Sequence, residues 1–269
     1  MITPPYSALA AGYDAVMAHV DYPMWADYVG GLLRRHAPGA RALVELGCGT
    51  GSLALALQPL GPEPGGFDYR GFDGSSAMVV VAREAARRAG RPVAFDVADF
   101  RDPVPGPPAD AVVLVYDGLN YLLDEGDVAA LLRHVAGALR PGGVAVVDQS
   151  TPANSLNHAD GFDDAGETDA FRYLRTSRYD AGSGLHTTTF TLTRPDGSRQ
   201  TETHVQRAYP LETVRALVEA SPLVEVAAYD GFSTEPATGA TERVHWVLRR
   251  PAGPAPLAPR RRAARSDRA

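Results

Sequence analysis

Short apolar segments alternate with helical segments along residues 41–148, and this alternation restricts the chain to few folds. The apolar segments lie at 41–46, 69–72, 93–97, 111–116 and 144–148, and the clearest helical patterns lie at 75–89 and 127–139. Strands that are apolar on both faces and separated by helices form parallel sheets with helices on each side. The sequence therefore predicts a doubly wound α/β core over residues 41–150.

Residues 1–40 precede this core with apolar side chains at helical spacing. Tyr6, Leu9 and Tyr13 belong to one stripe and Trp25 to a second, with Tyr22-Pro23 between them. Because apolar residues that recur every three to four positions are typical of amphipathic helices, we expect a helical N-terminal lid here.

The pattern changes after residue 150. A polar, glycine-rich stretch at 154–168 predicts a loop, and three strands are predicted at 171–179, 185–193 and 201–209. The turn-forming sequences between these strands favour antiparallel hairpins, so residues 151–210 are expected to form an antiparallel insertion.

The last part of the chain completes the predicted architecture. A helix at 211–220 and strands at 224–229 and 243–248 would finish a mostly parallel, Rossmann-like sheet of seven strands. We therefore expect a single domain over residues 1–250, whose C-terminal helix and strands occupy 211–250. Residues 251–269 are rich in Pro, Ala and Arg without periodicity and predict a disordered tail.

Composition excludes several classes of protein. Hydrophobic residues make up 45% and charged residues 22% of the 269 positions, which is typical of a globular protein. No window approaches the roughly 20 consecutive apolar residues of a membrane span, and no secretory leader is visible, so we expect a cytoplasmic protein. The single cysteine, Cys48, cannot form an internal disulfide, and no Cys/His cluster has the spacing of a metal site.

Charge is unevenly distributed along the chain. All 26 basic residues are arginines, and the formal net charge is −6. Residues 251–269 carry five arginines and one aspartate, so residues 1–250 have a net charge of −10. An acidic body repels polyphosphate, which disfavours a nucleic-acid partner.

A glycine-rich turn follows the first predicted core strand, in the sequence Glu45-Leu46-Gly47-Cys48-Gly49-Thr50-Gly51. Glycines at alternate positions let the backbone approach a ligand where side chains would collide with it. The spacing G-x-G-x-G differs from the G-x-G-x-x-G of dinucleotide-binding turns. Glu45 beside the turn disfavours a phosphate and suits a cationic group.

The three following strands also end in polar residues. Asp73 follows the second strand, where it could accept hydrogen bonds from a ribose diol or cap the next helix. Asp99-Phe100 follow the third strand and could meet the edge and face of an adenine. Tyr116-Asp117 follow the fourth. Because the carboxyl ends of parallel strands share one edge of a sheet, we expect one ligand site here.

These motifs and their order resemble the class I S-adenosylmethionine-dependent methyltransferases, particularly the branch that acts on small molecules. The resemblance covers about residues 6–249 and includes Leu139-Arg140-Pro141-Gly142-Gly143. It implies that Glu45 and the Gly47–Gly49 backbone hold the methionine part of the cofactor, that Asp73 holds the ribose, and that Met78, Asp99 and Phe100 contact the adenine. The full set of expected cofactor-binding residues is Tyr13, Trp25, Glu45, Gly47, Cys48, Gly49, Thr50, Asp73, Gly74, Met78, Asp99, Phe100, Tyr116 and Asp117. Gly74 departs from the family pattern, which more often has an apolar residue there.

Such an enzyme would transfer a methyl group to a nitrogen or oxygen atom of a small molecule by in-line displacement. The protein would mainly align the acceptor and exclude water. Candidate substrate-binding residues are Tyr6, Asn120, Tyr121, His204, Arg207 and Tyr209, each of which has an alternative interpretation as a surface or core residue. The sequence indicates no catalytic base and no metal site.

Other functions remain open at this level. An NAD-dependent oxidoreductase shares the strand, glycine turn and ribose-binding acid, although Glu45 counts against a phosphate there. An RNA-modifying methyltransferase could use the arginine-rich tail, and a non-catalytic protein could retain the cofactor-binding fold. Thr3-Pro4-Pro5-Tyr6 is similar to a motif of nucleobase amino-methyltransferases but precedes the sheet instead of following its fourth strand. The hairpin insertion could also form the interface of a homodimer.

Overall fold

Two β-sheets organise the chain in a computed structural model that describes residues 1–62, 66–91, 93–158 and 163–253. The strands are β1 Ile2–Thr3, β2 Ala42–Leu46, β3 Asp68–Asp73, β4 Ala94–Val97, β5 Ala109–Leu114, β6 Leu139–Ser150, β7 Asp164–Glu167, β8 Arg172–Asp180, β9 Leu185–Thr193, β10 Arg199–Arg207, β11 Val224–Asp230 and β12 Arg243–Arg249. The α-helices are α1 Tyr13–Val16, α2 Tyr22–His36, α3 Ser52–Leu57, α4 Ser76–Ala89, α5 Glu125–Ala138, α6 Pro152–Asn157 and α7 Leu211–Glu219, with 3-10 turns at Leu9–Gly12, Gln58–Leu60 and Leu119–Tyr121. The expected disordered tail lies outside the described residues except for 251–253, which are exposed.

The larger sheet contains seven strands in the order β11-β12-β6-β5-β2-β3-β4. Strands β4, β3, β2, β5 and β6 are mutually parallel, and β12 runs antiparallel to both β6 and β11. Val112 and Val113 of β5 point to opposite faces, and both are fully buried beneath apolar layers. The predicted mostly parallel, seven-stranded α/β fold is confirmed. Its strand order reverses between β2 and β5, which is where open α/β sheets bind ligands.

The smaller sheet has five strands in the order β1-β10-β9-β8-β7. Strands β7 to β10 pair antiparallel, and β1 joins β10 in parallel. The loop predicted at 154–168 is wrong in part, because α6 and β7 lie within this range. Strand β7 forms through its partner, since Arg175 on β8 donates to the Asp164 carboxylate at 2.7 Å.

The N-terminal segment differs from the expected continuous helices. Ile2 and Thr3 pair with Thr201 and Glu202, and a 3-10 turn precedes the single turn of α1. Tyr6 follows two prolines and has a φ of 61°, in the left-handed region that a helix cannot contain. Only α2 matches the predicted second stripe, and its N-cap is Asp21, which accepts from the Met24 amide at 2.9 Å. In the described part of the chain no helix is long and apolar enough to span a membrane.

Candidate active site

A cavity of about 630 Å³ opens at the carboxyl ends of β2, β3 and β5, where the sheet order reverses. All of the expected cofactor-binding residues except Asp117 line this first cavity. The N-terminal segment 4–7 covers part of it, and Arg101 and Leu122 add to its wall. The structure therefore brings together residues from six separate parts of the sequence.

The glycine turn after β2 exposes its backbone to this cavity. Gly47, Gly49 and Gly51 have φ values of 66°, 53° and 81°, which side chains rarely adopt. A Cβ on Gly49 would meet no atom within 4 Å, whereas one on Gly51 would lie 2.7 Å from the Phe95 ring. Gly49 therefore keeps space open for a ligand, and Gly51 lets the turn pack against β4.

Asp73 lies at the end of β3 with its carboxylate fixed beside the glycine turn. It accepts hydrogen bonds from the Gly49 amide at 2.9 Å and the Ser75 amide at 2.8 Å. The N-cap of α4 is Ser75, whose hydroxyl accepts from the Met78 amide at 3.3 Å, so Asp73 is not the cap. Burial raises the pKa of Asp73, and the two amide hydrogen bonds oppose that shift.

Glu45 is buried at the end of β2, and only 4% of its surface is exposed. Its carboxylate accepts a hydrogen bond from the Tyr69 hydroxyl. Burial raises the pKa of Glu45 to about 7, a shift that the Tyr69 hydrogen bond opposes and Asp73 reinforces. Burial likewise raises the pKa of the nearby Cys48 thiol, so the thiolate is disfavoured and Cys48 serves packing in this wall.

Asp99 faces the cavity from the end of β4 but is also engaged by a neighbour. Arg101 donates to it from its backbone amide at 2.9 Å and from Nε at 3.0 Å. The hydrogen bond from the Arg101 side chain lowers the pKa of Asp99, and burial opposes this. Asp99 therefore remains ionised, with Arg101 as a second polar group at the same edge of the cavity.

Asp117 lies outside the first cavity, within a buried group of charges. Its carboxylate is 2.8 Å from the Arg243 guanidinium, which also contacts Asp148, and its amide donates to Asp148 at 2.9 Å. Tyr116 and Asp117 both have a φ of 65°, an unfavourable conformation for residues other than glycine. Arg243 also lies over the rings of Trp25 and Tyr116, at 5.3 Å and 5.8 Å from their centroids. This charge group thus holds two aromatic residues in the cavity wall.

A second cavity of about 570 Å³ lies between the core sheet and the smaller sheet. Tyr6, Tyr13, Tyr116 and Tyr121 line both cavities. Of the residues expected to bind substrate, Tyr6, Asn120, Tyr121 and His204 line the second cavity.

Asn120, Arg207 and Tyr209 hold backbone segments together. Asn120 is buried and bonded to Ser150 and to the Arg207 carbonyl, which leaves its amide already occupied. Arg207 donates to the carbonyls of Leu123 and Ser183, and the Tyr209 hydroxyl donates to the Leu122 carbonyl at 2.7 Å. Arg207 and Tyr209 do not line the second cavity, because these bonds direct their side chains to loop backbone.

Sequence reasoning missed most of the second cavity. The smaller sheet contributes side chains from alternate positions of three strands: Arg175 and Ser177, then His186, Thr188 and Phe190, then His204 and Gln206. Because residues two apart in a strand share a face, this period of two was the signal that could have identified them. His186 bonds to Ser155 at 3.2 Å, and burial lowers its pKa.

Comparisons with known proteins agree with this geometry. A family model described as "Methyltransferase domain" matches residues 43–143, the segment that carries the glycine turn, Asp73 and Asp99. YqeM of Bacillus subtilis (strain 168), a protein named as a methyltransferase, is 27% identical over 219 residues, covering 80% of this chain and 84% of its own length. Residues 43–143 therefore match a methyltransferase domain, and the chain is an S-adenosylmethionine-dependent methyltransferase.

Solved structures share the fold of this methyltransferase. An S-adenosylmethionine-dependent methyltransferase from Clostridium acetobutylicum ATCC 824 superposes with a TM-score of 0.74 at 22% identity, covering 90% of this chain and 96% of its own. The methyltransferase is also 30% identical over 128 residues to a dTDP-3-amino-3,6-dideoxy-alpha-D-glucopyranose N,N-dimethyltransferase of Streptomyces fradiae, a match to about half of each chain. These findings give no support to an NAD-dependent oxidoreductase.

The first cavity of the methyltransferase suits its cofactor, which carries a sulfonium, an ammonium and a ribose. The open space above Gly49 admits a ligand close to the backbone. Glu45 supplies a buried carboxylate and Asp73 a half-buried one, and carboxylate oxygens attract cations and accept hydrogen bonds from hydroxyls.

Proposed function

We propose that this methyltransferase holds S-adenosylmethionine in the first cavity and methylates a nitrogen or oxygen atom of a small polar molecule held in the second. The observation that carries this proposal is the shared wall, in which Tyr6, Tyr13, Tyr116 and Tyr121 line both cavities. Methyl transfer requires the acceptor atom and the methyl carbon to lie within about 3.5 Å, and two adjoining cavities allow this approach.

Each wall of the first cavity has a proposed role. Glu45 and the backbone of the glycine turn contact the methionine part, and Asp73 accepts from the ribose hydroxyls. Met78 packs on one face of the adenine, and Asp99 with Phe100 lies at its edge. The product S-adenosylhomocysteine would occupy the same contacts.

The bound cofactor supplies a methyl group that is already activated by a positively charged sulfur. The protein's own contribution is therefore to orient the acceptor and to exclude water. Tyr6, Tyr13 and Tyr116 place aromatic surface around the junction of the cavities, and Tyr6 is packed edge-on against Tyr13 at a centroid distance of 5.8 Å. The N-terminal segment closes this junction from above.

An amine on a small polar molecule is the favoured acceptor. The half-length match to an amino-sugar N,N-dimethyltransferase supports nitrogen over oxygen. Arg175 is the arginine in the wall of the second cavity, and Asp164 neutralises it at 2.7 Å. A diphosphate would lack a free cation in this described wall, so the charge pattern favours a neutral or cationic substrate without a nucleotide.

The test is transfer of a deuterated methyl group to a panel of acceptors. The protein is incubated with S-adenosylmethionine carrying a CD₃ group, and products are read by mass spectrometry against a no-enzyme control. The panel pairs amino sugars and simple alkyl amines with the matching alcohols, each as the free molecule and, for the sugars, as the nucleotide diphosphate derivative. A mass gain on free amines is expected. Transfer only to nucleotide-linked sugars would contradict the proposed substrate class, and bound cofactor without transfer to any member would contradict the proposed function.

A further inference from the structure

A chain of four polar side chains runs from the junction of the two cavities into the smaller sheet. The Tyr6 and Tyr121 hydroxyls are 2.5 Å apart, and the Tyr121 hydroxyl is 3.0 Å from Nδ1 of His204. On the other side of the imidazole, Nε2 lies 3.5 Å from the Glu202 carboxylate. The side chains of His204 and Glu202 are 4% and 0% exposed, so this series of groups runs from the wall of the second cavity, which His204 also lines, into the protein interior.

We propose that His204 accepts the proton released by the methyl acceptor, and that Tyr6 and Tyr121 conduct this proton to it. This inference rests on the proposed function, since it concerns the acceptor in the second cavity. Both tyrosines line both cavities. Of the four side chains, these two can therefore place a hydroxyl next to an acceptor at the junction. His204 itself would act through Tyr121.

Proton transfer toward His204 requires one direction for each hydrogen bond of the relay. In the proposed relay Tyr6 donates to Tyr121, Tyr121 donates to Nδ1 of His204, and the proton on Nε2 lies on the side of Glu202. A lone pair of the Tyr6 oxygen then faces the acceptor. An ammonium acceptor loses one proton to Tyr6, the Tyr6 and Tyr121 protons each move one position along, and Nδ1 of His204 gains one. The electron pair of the broken N–H bond stays on nitrogen and becomes the pair that takes the methyl group.

The Glu202 carboxylate would stabilise a positively charged His204 imidazole in the protein interior. An isolated buried charge is strongly unfavourable, whereas an imidazolium next to a carboxylate is compensated. Burial raises the pKa of Glu202, but the neighbouring His204 imidazole and the hydrogen bonds from the amides of Leu9 and Ala8 outweigh burial, so this pKa is lowered. Glu202 is therefore ionised when the proton arrives.

The two tyrosines conduct the proton without retaining a charge. Burial raises the pKa of Tyr6, and neighbouring Tyr121 raises it further. Burial also raises the pKa of Tyr121 well above its ordinary value. A free phenolate is disfavoured at both positions, so each hydroxyl receives one proton as it passes on another. The imidazole also packs edge-on against two aromatic rings, those of Tyr6 at 4.6 Å and Phe190 at 5.5 Å between centroids.

The first test determines the tautomer of His204 by NMR and does not require the methyl acceptor to be known. In protein labelled with ¹⁵N histidine and saturated with S-adenosylhomocysteine, we expect the proton on Nε2 and an unprotonated Nδ1 whose shift changes in Tyr121→Phe. A proton on Nδ1 would overturn the relay, whatever the protein methylates. Tyr28→Phe removes a hydroxyl that donates to the Ser233 carbonyl outside both cavities, and should leave the His204 signals unchanged.

The kinetic test uses the best amine of the acceptor panel. General acid–base groups contribute roughly 10²–10⁴-fold, so His204→Gln, which keeps a hydrogen-bond acceptor but cannot take the proton, should lower kcat at least about 100-fold at unchanged KM. The wild-type solvent deuterium isotope effect on kcat should disappear in Tyr121→Phe. His158→Gln, at an exposed site beside Glu242, is the matched control. Wild-type-like kcat in His204→Gln would overturn the relay, while weakened S-adenosylhomocysteine binding in both relay variants would show a structural role instead.

Discussion

The Glu202 carboxylate accepts a hydrogen bond from the Tyr6 amide at 2.8 Å, although the two residues are 196 positions apart. It also accepts from the amides of Ala8 and Leu9, so one buried side chain holds the segment that covers the first cavity. The cofactor-binding core and the smaller sheet are thus coupled through the N-terminal segment.

Glu202→Ala should destabilise the protein and weaken cofactor binding together. Removing the carboxylate leaves three buried amides without an acceptor, at a cost of about 1–3 kcal/mol for each unsatisfied group. Urea unfolding measures the free energy of unfolding, and limited proteolysis of residues 1–13 measures detachment of the segment. Exposed Glu235→Ala is the control. An unchanged free energy of unfolding would show that other contacts hold the segment.

The stability contributed by Glu202 should depend on pH in one direction. Its pKa is lowered in the folded state, so this contribution is present above the pKa of the unfolded chain, about 4.3. It is lost as the pH falls through the folded-state pKa, because protonation removes the charge that the amides stabilise. Unfolding measured between pH 3 and pH 7 should therefore show a smaller pH dependence in Glu202→Gln than in wild type.

Asp73→Ala should weaken S-adenosylhomocysteine binding by about 1–3 kcal/mol, the range for leaving polar partners unpaired. Because Asp73 also accepts from the Gly49 and Ser75 amides, Asp73→Asn is included to retain an acceptor and the side-chain shape. Calorimetric titration gives the dissociation constants, and exposed Asp102→Ala should match wild type. A wild-type dissociation constant in Asp73→Ala would show that Asp73 does not bind the ribose hydroxyls.

Glu45→Gln should increase stability at pH 8 while weakening cofactor binding. Burial raises the pKa of Glu45 to about 7, so the folded state favours the protonated form. The stability that this preference contributes is full below about pH 4.3, the unfolded value, and is lost as the pH rises to about 7. In urea unfolding, the variant should have a higher free energy of unfolding than wild type at pH 8 and the same value at pH 4. Equal stabilities at pH 8 would mean that Glu45 titrates normally.

The core and much of the first cavity could be predicted because their signals are local. Wholly apolar strands indicated a parallel sheet, and residues that follow parallel strands must share an edge, which brought Glu45, Asp73 and Asp99 together without further information. The glycine turn was equally local, since its backbone angles are determined by adjacent residues.

Pairings across long stretches of chain were not visible in the sequence. Glu202 stands in a polar, threonine-rich strand, yet it is fully buried because β1 and the Tyr6–Leu9 backbone cover it. The sequence did not indicate that Arg243, 126 positions away, binds Asp117, which lines the second cavity and not the first. Tyr209 was predicted at the end of the strand 201–209, but β10 ends at Arg207 and Tyr209 packs into the core.

Gly71→Ala should destabilise the sheet behind the glycine turn. A Cβ on Gly71 would lie 2.6 Å from the Phe95 ring and 3.1 Å from the Cβ of Cys48, and overpacking of this kind costs about 1–3 kcal/mol. Gly137→Ala is the matched control, because this exposed position in α5 has no atom within 4 Å of the new Cβ, and Ala is favoured over Gly in helices by about 1 kcal/mol. Thermal unfolding should move in opposite directions in the two variants. A stabilised Gly71→Ala would contradict the close approach of β3, β4 and the turn.

Binding of S-adenosylmethionine and its product in the first cavity can be measured by calorimetric titration of the wild-type protein with S-adenosylhomocysteine. We predict one site per chain with a dissociation constant below about 100 μM, which corresponds to about −5.5 kcal/mol. NADH titrated in parallel should give no binding heat. Absence of binding at millimolar S-adenosylhomocysteine, or binding of NADH in its place, would show that the first cavity is not an S-adenosylmethionine site.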